Sequence, residues 1–215
     1  MQPPASIADL PTRVRLFPLG GAVLLPRTVM PLNIFEPRYL AMVRDAMTTD
    51  HVIAILQPKG QWEDDRPDLF SVGGIGRITQ YSETGDGRFL ITLSGLARFR
   101  MVRELSATTP YRQAEVDYAP YAEDWGPAVP LAPVARASVE ATLKVYLDAQ
   151  GLSADWDAVK NADDESLVNT LSMVCPFVPA ERQALLEAKT LPERASTLTT
   201  LMAFSHGPDS EMTLQ

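Results

Sequence analysis

Within Met30-Pro-Leu-Asn-Ile-Phe-Glu-Pro-Arg-Tyr39 the amino-acid sequence changes from the pattern of a β-strand to that of an α-helix. Residues 29–35 are mainly apolar and contain Pro31, which is disfavoured in central strands, so they predict an edge strand or a bulged strand. Residues 36–47 place apolar side chains at helical spacing, and Pro37 suits the first turn of that helix. The stretch therefore predicts a strand followed directly by a helix.

The segments around this junction have the pattern of further short strands. Gly85-Asp86-Gly87 is a strong turn signal between two alternating segments, which predicts a hairpin. Residues 57–69 are polar, include Trp62, and predict an exposed loop. Short strands at this spacing are typical of a small barrel or a strongly curved sheet. The predicted strands are residues 14–19, 22–25, 52–56, 75–82, 88–94, 97–105 and 111–118.

Beyond residue 118 the sequence changes to a helical pattern. Residues 119–133 contain four prolines and predict a linker. Helices are predicted over residues 134–150, 163–174 and 179–189, and from a capping box at residues 190–193. The sequence therefore predicts an α+β protein, with a β-rich domain over 10–120, an α-helical domain over 121–206 and a flexible tail over 207–215.

The chain has 215 residues and a net charge of −8, and its second part carries all of the excess. Residues 1–120 hold 13 Lys+Arg and 13 Asp+Glu, whereas residues 121–215 hold 6 and 14. Proteins that bind nucleic acids usually carry a basic field, because phosphate contacts dominate their affinity. This distribution of charge argues against a nucleic-acid partner.

The sequence contains no signal for a membrane segment, a metal site or a cofactor. No stretch approaches the about 20 uninterrupted apolar residues of a membrane span, and the first residues lack the basic and apolar regions of a signal peptide. Cys175 is the one cysteine and cannot form an internal disulfide, which suits a reducing cytoplasm. Cys175, His51 and His206 lack the spacing of zinc ligands. We expect a cytoplasmic protein without a metal or cofactor.

Several motifs in a fixed order resemble the N-terminal substrate-binding domain of Lon-type ATP-dependent proteases. The resemblance covers about residues 13–205, and Phe35-Glu-Pro-Arg-Tyr39 is its most specific part. The other motifs are Leu16-Phe-Pro-Leu-Gly20, Val23-Leu-Leu-Pro26, Gly74-Ile-Gly-Arg-Ile78 and Gly95-Leu-Ala-Arg-Phe-Arg100.

This resemblance implies a PUA-like β pseudo-barrel followed by a C-terminal α-helical bundle. It also implies binding of unfolded or partly folded polypeptides through their exposed hydrophobic segments. The sequence contains no G-x-x-x-x-G-K-[ST] phosphate loop, and no lysine lies in a context resembling the family's serine–lysine peptidase site. We therefore expect a free-standing, non-catalytic domain that acts alone or as an adaptor for a separate ATP-dependent protease.

An apolar segment punctuated by proline is the candidate site for polypeptide. Such strands cannot pair all of their backbone internally, so an unpaired edge is available to an extended peptide. Met30 adds adaptability, because methionine accommodates varied apolar partners. The alternative is that these residues are ordinary core. The candidates are Leu24, Leu25, Pro26, Met30, Leu32 and Phe35.

The motif residues Glu36, Pro37, Arg38 and Tyr39 have a structural and a functional interpretation. In the functional one, Glu36 and Arg38 contact a bound peptide. In the structural one, Glu36 caps the helix N-terminus and Arg38 pairs with a neighbouring carboxylate. We favour the structural interpretation, which predicts a loss of about 1 kcal/mol in stability for Glu36→Ala.

RNA binding is the alternative function. Arg98 and Arg100 lie beside Phe99, and arginines next to an aromatic ring can stack on bases. The zero net charge of residues 1–120 instead favours pairing of these arginines with carboxylates.

Asp163-Asp164-Glu165 predicts an acidic helix N-terminus rather than a metal site. The sequence has no G-x-S-x-G nucleophile elbow, so nothing in it predicts an enzyme.

Overall fold

The computed structural model describes residues 6–60, 66–128 and 130–204. The chain divides into two compact units, Met1–Pro127 and Ala128–Gln215, here called the first unit and the second unit. The division falls in the proline-rich stretch after residue 118. The predicted tail at 207–215, His206, and Trp62 of the predicted loop lie outside the described residues.

The first unit is built on one six-stranded sheet that closes into a ring. Its strands are β1 Arg13–Pro18, β2 Val29–Ile34, β3 Val52–Leu56, β4 Val72–Glu83, β5 Phe89–Leu105 and β6 Gln113–Asp117. They follow the order β2-β5-β4-β3-β1-β6, and β6 also pairs with β5, which closes the ring. The pair β1–β3 is parallel and the other pairs are antiparallel.

The length of β5 allows this closure. Its first half pairs with β2, from Phe89 opposite Ile34 to Ser94 opposite Val29. Its second half pairs with β6, from Arg100 opposite Asp117 onward. β2 is therefore an additional edge strand outside the ring, as Pro31 predicted, and the predicted pseudo-barrel is confirmed as a ring-like sheet.

A helix follows β2 at the predicted position. The helix α1 covers Pro37–Met47 and begins with proline in its first turn. It buries Tyr39, Met42, Val43 and Ala46, which recur at the three- and four-residue spacing of one helix face.

The strand predictions were wrong at two places. Residues 22–25 form no strand; their main chain instead crosses the sheet at two glycines. A Cβ atom on Gly74 would lie 1.9 Å from the carbonyl oxygen of Leu24, and one on Gly95 would lie 2.0 Å from that of Leu25. The segments 88–94 and 97–105 are one strand, β5, rather than two.

The second unit consists of five α-helices in its described residues, and the helical pattern of the sequence is confirmed. One helix was missed: Trp156–Asn161 is too short to show a clear period. Before them, the predicted linker contains a 3-10 helix at Ala119–Trp125, which belongs to the first unit. The five helices are α2 Pro133–Ala149, α3 Trp156–Asn161, α4 Asp164–Val174, α5 Pro179–Glu187 and α6 Leu191–Phe204.

Three arginines of the second unit bind carbonyl groups at helix C-termini. Arg136 donates to the carbonyls of Val159 and Ala162 at the end of α3. Arg182 donates to carbonyls at the end of α4, among them Cys175 at 2.8 Å. The buried Arg194 does the same for Leu185 and Ala188 at the end of α5. These bonds satisfy acceptors that a helix cannot satisfy itself.

Candidate functional site

The six residues predicted to bind polypeptide separate into two groups. Leu24, Leu25, Pro26 and Met30 are buried. The glycines described above leave room for this segment, and Thr28 anchors it by donating a hydrogen bond from its hydroxyl to the carbonyl of Leu25 at 2.6 Å. These four side chains belong to the core of the first unit.

The remaining two candidates, Leu32 and Phe35, are accessible. Leu32 is half-buried and Phe35 is 59% exposed. Leu32 lies at a shallow depression of about 440 Å³ formed by β2, β5 and β4, here called the apolar depression. Its lining residues are Pro31, Leu32, Asn33, Gln80, Tyr81, Ser82, Leu90, Ile91 and Thr92.

Leu90 is the main exposed apolar side chain of this depression. On β5 the buried residues Phe89, Ile91 and Leu93 alternate with Leu90, which points to the opposite face and is 48% exposed. The signal for this site in the sequence is an apolar residue at an outward position of an alternating strand. None of the described lining residues is charged, so the depression suits an apolar ligand.

The motif at the start of α1 does not form the predicted cap. Glu36 occupies the N-cap position, but its side chain makes no capping hydrogen bond. Its carboxylate instead accepts a hydrogen bond at 2.8 Å from Nε of Arg38. The predicted pairing of Arg38 with a neighbouring carboxylate is thus present, and the predicted capping by Glu36 was wrong. The Arg38 guanidinium also lies 4.7 Å from the centre of the Tyr39 ring.

Arg38 and Tyr39 line a second cavity, of about 320 Å³, here called the arginine cavity. Arg66, Arg112 and Tyr111 also line it. No acidic residue is among its described lining residues, which also include Pro18, Leu105, Ser106, Ala107, Thr109 and Pro110. No local pattern in the sequence indicates this site, because its arginines come from three distant segments.

Glu104 is not among the lining residues, but its carboxylate binds two of the arginines of the cavity. It accepts hydrogen bonds from Nε of Arg112 at 3.0 Å and from Nη2 at 2.6 Å. Arg66 binds the same carboxylate. Hydrogen bonds from Arg112 and then Arg66 hold the pKa of Glu104 below its ordinary value. Burial raises the pKa of Tyr39, so its hydroxyl keeps its proton.

The other residues considered for chemistry have structural positions. Arg98 is buried against Asp124 and does not offer its guanidinium to RNA bases. Asp163 caps α4 by accepting from the N–H of Ser166, as predicted. Cys175 is buried. Within the described ranges there is no group of three or more His, Cys, Asp or Glu suited to a metal ion, and no helix long and apolar enough to cross a membrane.

Comparison with known proteins gives a family match over almost the whole chain. Residues 13–203 match the family model described as the ATP-dependent protease La (LON) substrate-binding domain. The chain is 34% identical over 121 residues to Lon protease 2 of Myxococcus xanthus, which covers 54% of this chain and 14% of that protein. It is 27% identical over 203 residues to Lon protease 2 of Herpetosiphon aurantiacus, covering 93% of this chain and 24% of that protein. The chain therefore spans about a quarter or less of these relatives.

Two solved structures share the fold. A Lon N-terminal domain protein from Xanthomonas campestris superposes with a TM-score of 0.64 at 23% identity, covering 87% of this chain and 97% of that one. The N-terminal domain of the Mycobacterium avium complex Lon protease gives a TM-score of 0.64 at 20% identity, covering 89% and 98%.

Proposed function

Since the chain belongs to the Lon substrate-binding domain family, we propose that it binds unfolded polypeptides through their exposed hydrophobic segments, without catalysing a reaction. The observation that carries this proposal is the uncharged apolar depression beside the edge strand β2, with Leu90 exposed in it. Phe35, which follows β2 directly, is a further exposed apolar side chain, and the Arg88 guanidinium lies 5.7 Å from the centre of its ring. In this proposal the bound chain is delivered to, or withheld from, a separate ATP-dependent protease.

The physical basis is burial of apolar surface. Complete burial of a fully exposed leucine side chain contributes about 1.5–3 kcal/mol. Leu90 is 48% exposed, so covering it contributes about half of that. A shallow site with no charged lining residue places few directional demands on its ligand, so it suits many sequences rather than one. Pro31 lacks an N–H and weakens the edge of β2 as a template for a further strand. We therefore assign binding to the side chains of the depression rather than to backbone pairing along β2.

The alternative of RNA binding has less support from the charges. Of the two arginines proposed to stack on bases, Arg98 is buried against Asp124, and only Arg100 is exposed. An RNA site would need cations that phosphates can reach.

The test is fluorescence anisotropy of a labelled, permanently unfolded protein titrated with this chain. We expect saturable binding that unlabelled unfolded protein competes and its folded counterpart does not. Leu90→Asp should weaken binding at least tenfold, because it places a charge in the apolar depression. Val102→Asp is the matched control, since Val102 is an exposed apolar residue of β5 that lies outside the depression.

Both variants should keep the circular dichroism spectrum and melting temperature of the parent. Unchanged affinity in Leu90→Asp would refute the assignment to the depression. Absence of binding at tens of micromolar would refute autonomous polypeptide binding. Competition by RNA alone would favour the alternative function.

A further inference from the structure

We infer that the arginine cavity binds a carboxylate, and that its source is the C-terminal carboxylate of a bound polypeptide. The choice of a polypeptide as the source rests on the proposed function. The carboxylate chemistry itself rests on the residues that line the cavity.

The charges around the cavity favour an anion with a single negative charge. Arg38, Arg66 and Arg112 bring three guanidinium groups to its wall. Two carboxylates pair with them: Glu36 with Arg38, and Glu104 with both of the others. A third carboxylate, Asp45, accepts a hydrogen bond from the hydroxyl of Tyr111 in the cavity wall at 2.6 Å. These neighbouring carboxylates repel a phosphate dianion more strongly than a singly charged carboxylate. Planar guanidinium groups present parallel N–H donors that fit the two oxygens of a carboxylate.

The cavity is organised before any ligand arrives. Arg112 is fixed by both oxygens of Glu104 and by a hydrogen bond from its Nη1 to the carbonyl of Pro67 at 2.7 Å. A side chain already held in place loses little conformational entropy on binding. Arg38 and Tyr39 belong to the first turn of α1, and no side chain caps that helix end.

The wall also has apolar surface for the residue that carries the carboxylate. Leu105, which is half-buried, and the exposed Ala107 and Pro110 line the cavity together with the arginines. A terminal residue combines one carboxylate with one side chain on the same carbon atom. A cavity of about 320 Å³ with arginines and apolar groups side by side suits that combination.

The experiment uses small ligands and the full chain. N-acetyl-Ala-Leu with a free carboxyl group, the same dipeptide as its amide, and inorganic phosphate are titrated while the amide resonances of Arg38, Tyr39 and Tyr111 are followed by NMR. We expect saturable shifts with the free acid and an affinity at least tenfold lower for the amide. Equal shifts with acid and amide, or tighter binding of phosphate, would overturn the inference.

A fourth ligand separates the two sources of a carboxylate. N-acetyl-aspartic acid α-amide carries its carboxylate on a side chain, and binding equal to that of the free dipeptide would overturn the assignment to a C-terminus. Arg66→Gln should weaken the free acid at least threefold, and since Arg66 is 68% exposed its loss should leave the fold intact. Arg103→Gln is the control, because Arg103 is an exposed, paired arginine outside the cavity. Equal affinity in the two variants would also contradict the inference.

The two proposals fail separately. Leu90 lies outside the arginine cavity, so Leu90→Asp should leave the affinity for the free dipeptide unchanged while it weakens binding of the unfolded protein at least tenfold. If the unfolded protein binds but the free dipeptide does not, the carboxylate site alone is refuted. The reverse result refutes polypeptide capture at the depression, and with it the polypeptide as the source of the carboxylate.

Discussion

Arg98 and Asp124 form a buried, two-pronged ion pair that fastens the 3-10 helix Ala119–Trp125 to β5. Nε of Arg98 donates to one carboxylate oxygen at 2.9 Å and Nη2 donates to the other at 2.7 Å. The backbone N–H of Arg98 adds a third hydrogen bond, at 2.8 Å. The side chains are only 3% and 7% exposed, and the guanidinium lies 4.4 Å from the centre of the Tyr121 ring.

We predict that Asp124→Asn destabilises the protein by about 3–5 kcal/mol, because it removes the carboxylate partner of a buried guanidinium. The measurement is the free energy of unfolding in urea. Glu115→Gln is the control, since it breaks the exposed pair with Arg103 and should cost less than about 1 kcal/mol. Similar decreases in the free energy of unfolding in the two variants would show that the buried pair stabilises the protein no more than the exposed pair.

Gly95→Ala should destabilise the protein by more than about 4 kcal/mol, because its Cβ atom would lie 2.0 Å from the carbonyl oxygen of Leu25. Neither backbone can move without disturbing the segment that crosses the sheet. Gly85→Ala, at the hairpin turn, has no atom within 4 Å of its added Cβ and should have a stability close to that of the parent. A Gly95→Ala protein that melts at the parental temperature would contradict the close approach.

Glu36→Ala should cost less than the about 1 kcal/mol expected for a lost cap. The carboxylate binds Arg38 rather than the helix backbone, and both side chains are partly exposed. We expect a loss of about 0.5 kcal/mol, the usual value for such a pair. Chemical denaturation measures it, and a loss well above 1 kcal/mol would restore the capping role.

Alkaline pH should destabilise the protein partly through Cys175, because burial raises the pKa of its thiol to about 11. The unfolded chain loses this proton near the ordinary pKa of 9.0, whereas the folded protein keeps it. The contribution of the Cys175 thiol to stability is therefore fully present below pH 9 and is lost as the pH rises toward 11. Unfolding free energies at pH 8 and pH 10.5 should differ less in Cys175→Ala than in the parent. Identical differences would contradict this role of the thiol.

The sequence predicted the elements whose signals are local. Pro31 marked β2 as an edge strand, Gly85-Asp86-Gly87 marked the hairpin, and the periodicity of the later segments predicted four of the five helices of the second unit. It could not show that Leu24 and Leu25 are core, because a buried leucine and a ligand-binding leucine have the same hydrophobicity. Their position depends on Gly74 and Gly95, which lie far along the chain.

Long-range pairing explains what the sequence could not supply at the sites. Glu104 organises the arginine cavity through Arg66 and Arg112, and only the folded sheet brings these residues together. Likewise, the position of Arg98 beside Phe99 suggests stacking on bases. Its carboxylate partner, Asp124, lies 26 residues further along the chain and could not be identified from the sequence. Residue types were visible in the sequence, but their partners were not.

The closure of the ring also sets an order for folding during synthesis. β1 pairs on one edge with β3, which follows it closely in the sequence. Its other edge pairs with β6, and the hydrogen bond from Arg13 to Gln113 joins residues 100 positions apart. Contacts between such distant segments form slowly, because a long loop must close first. Until Gln113 has emerged from the ribosome, β1 and β5 each have an unpaired edge. Other chains can pair with such edges.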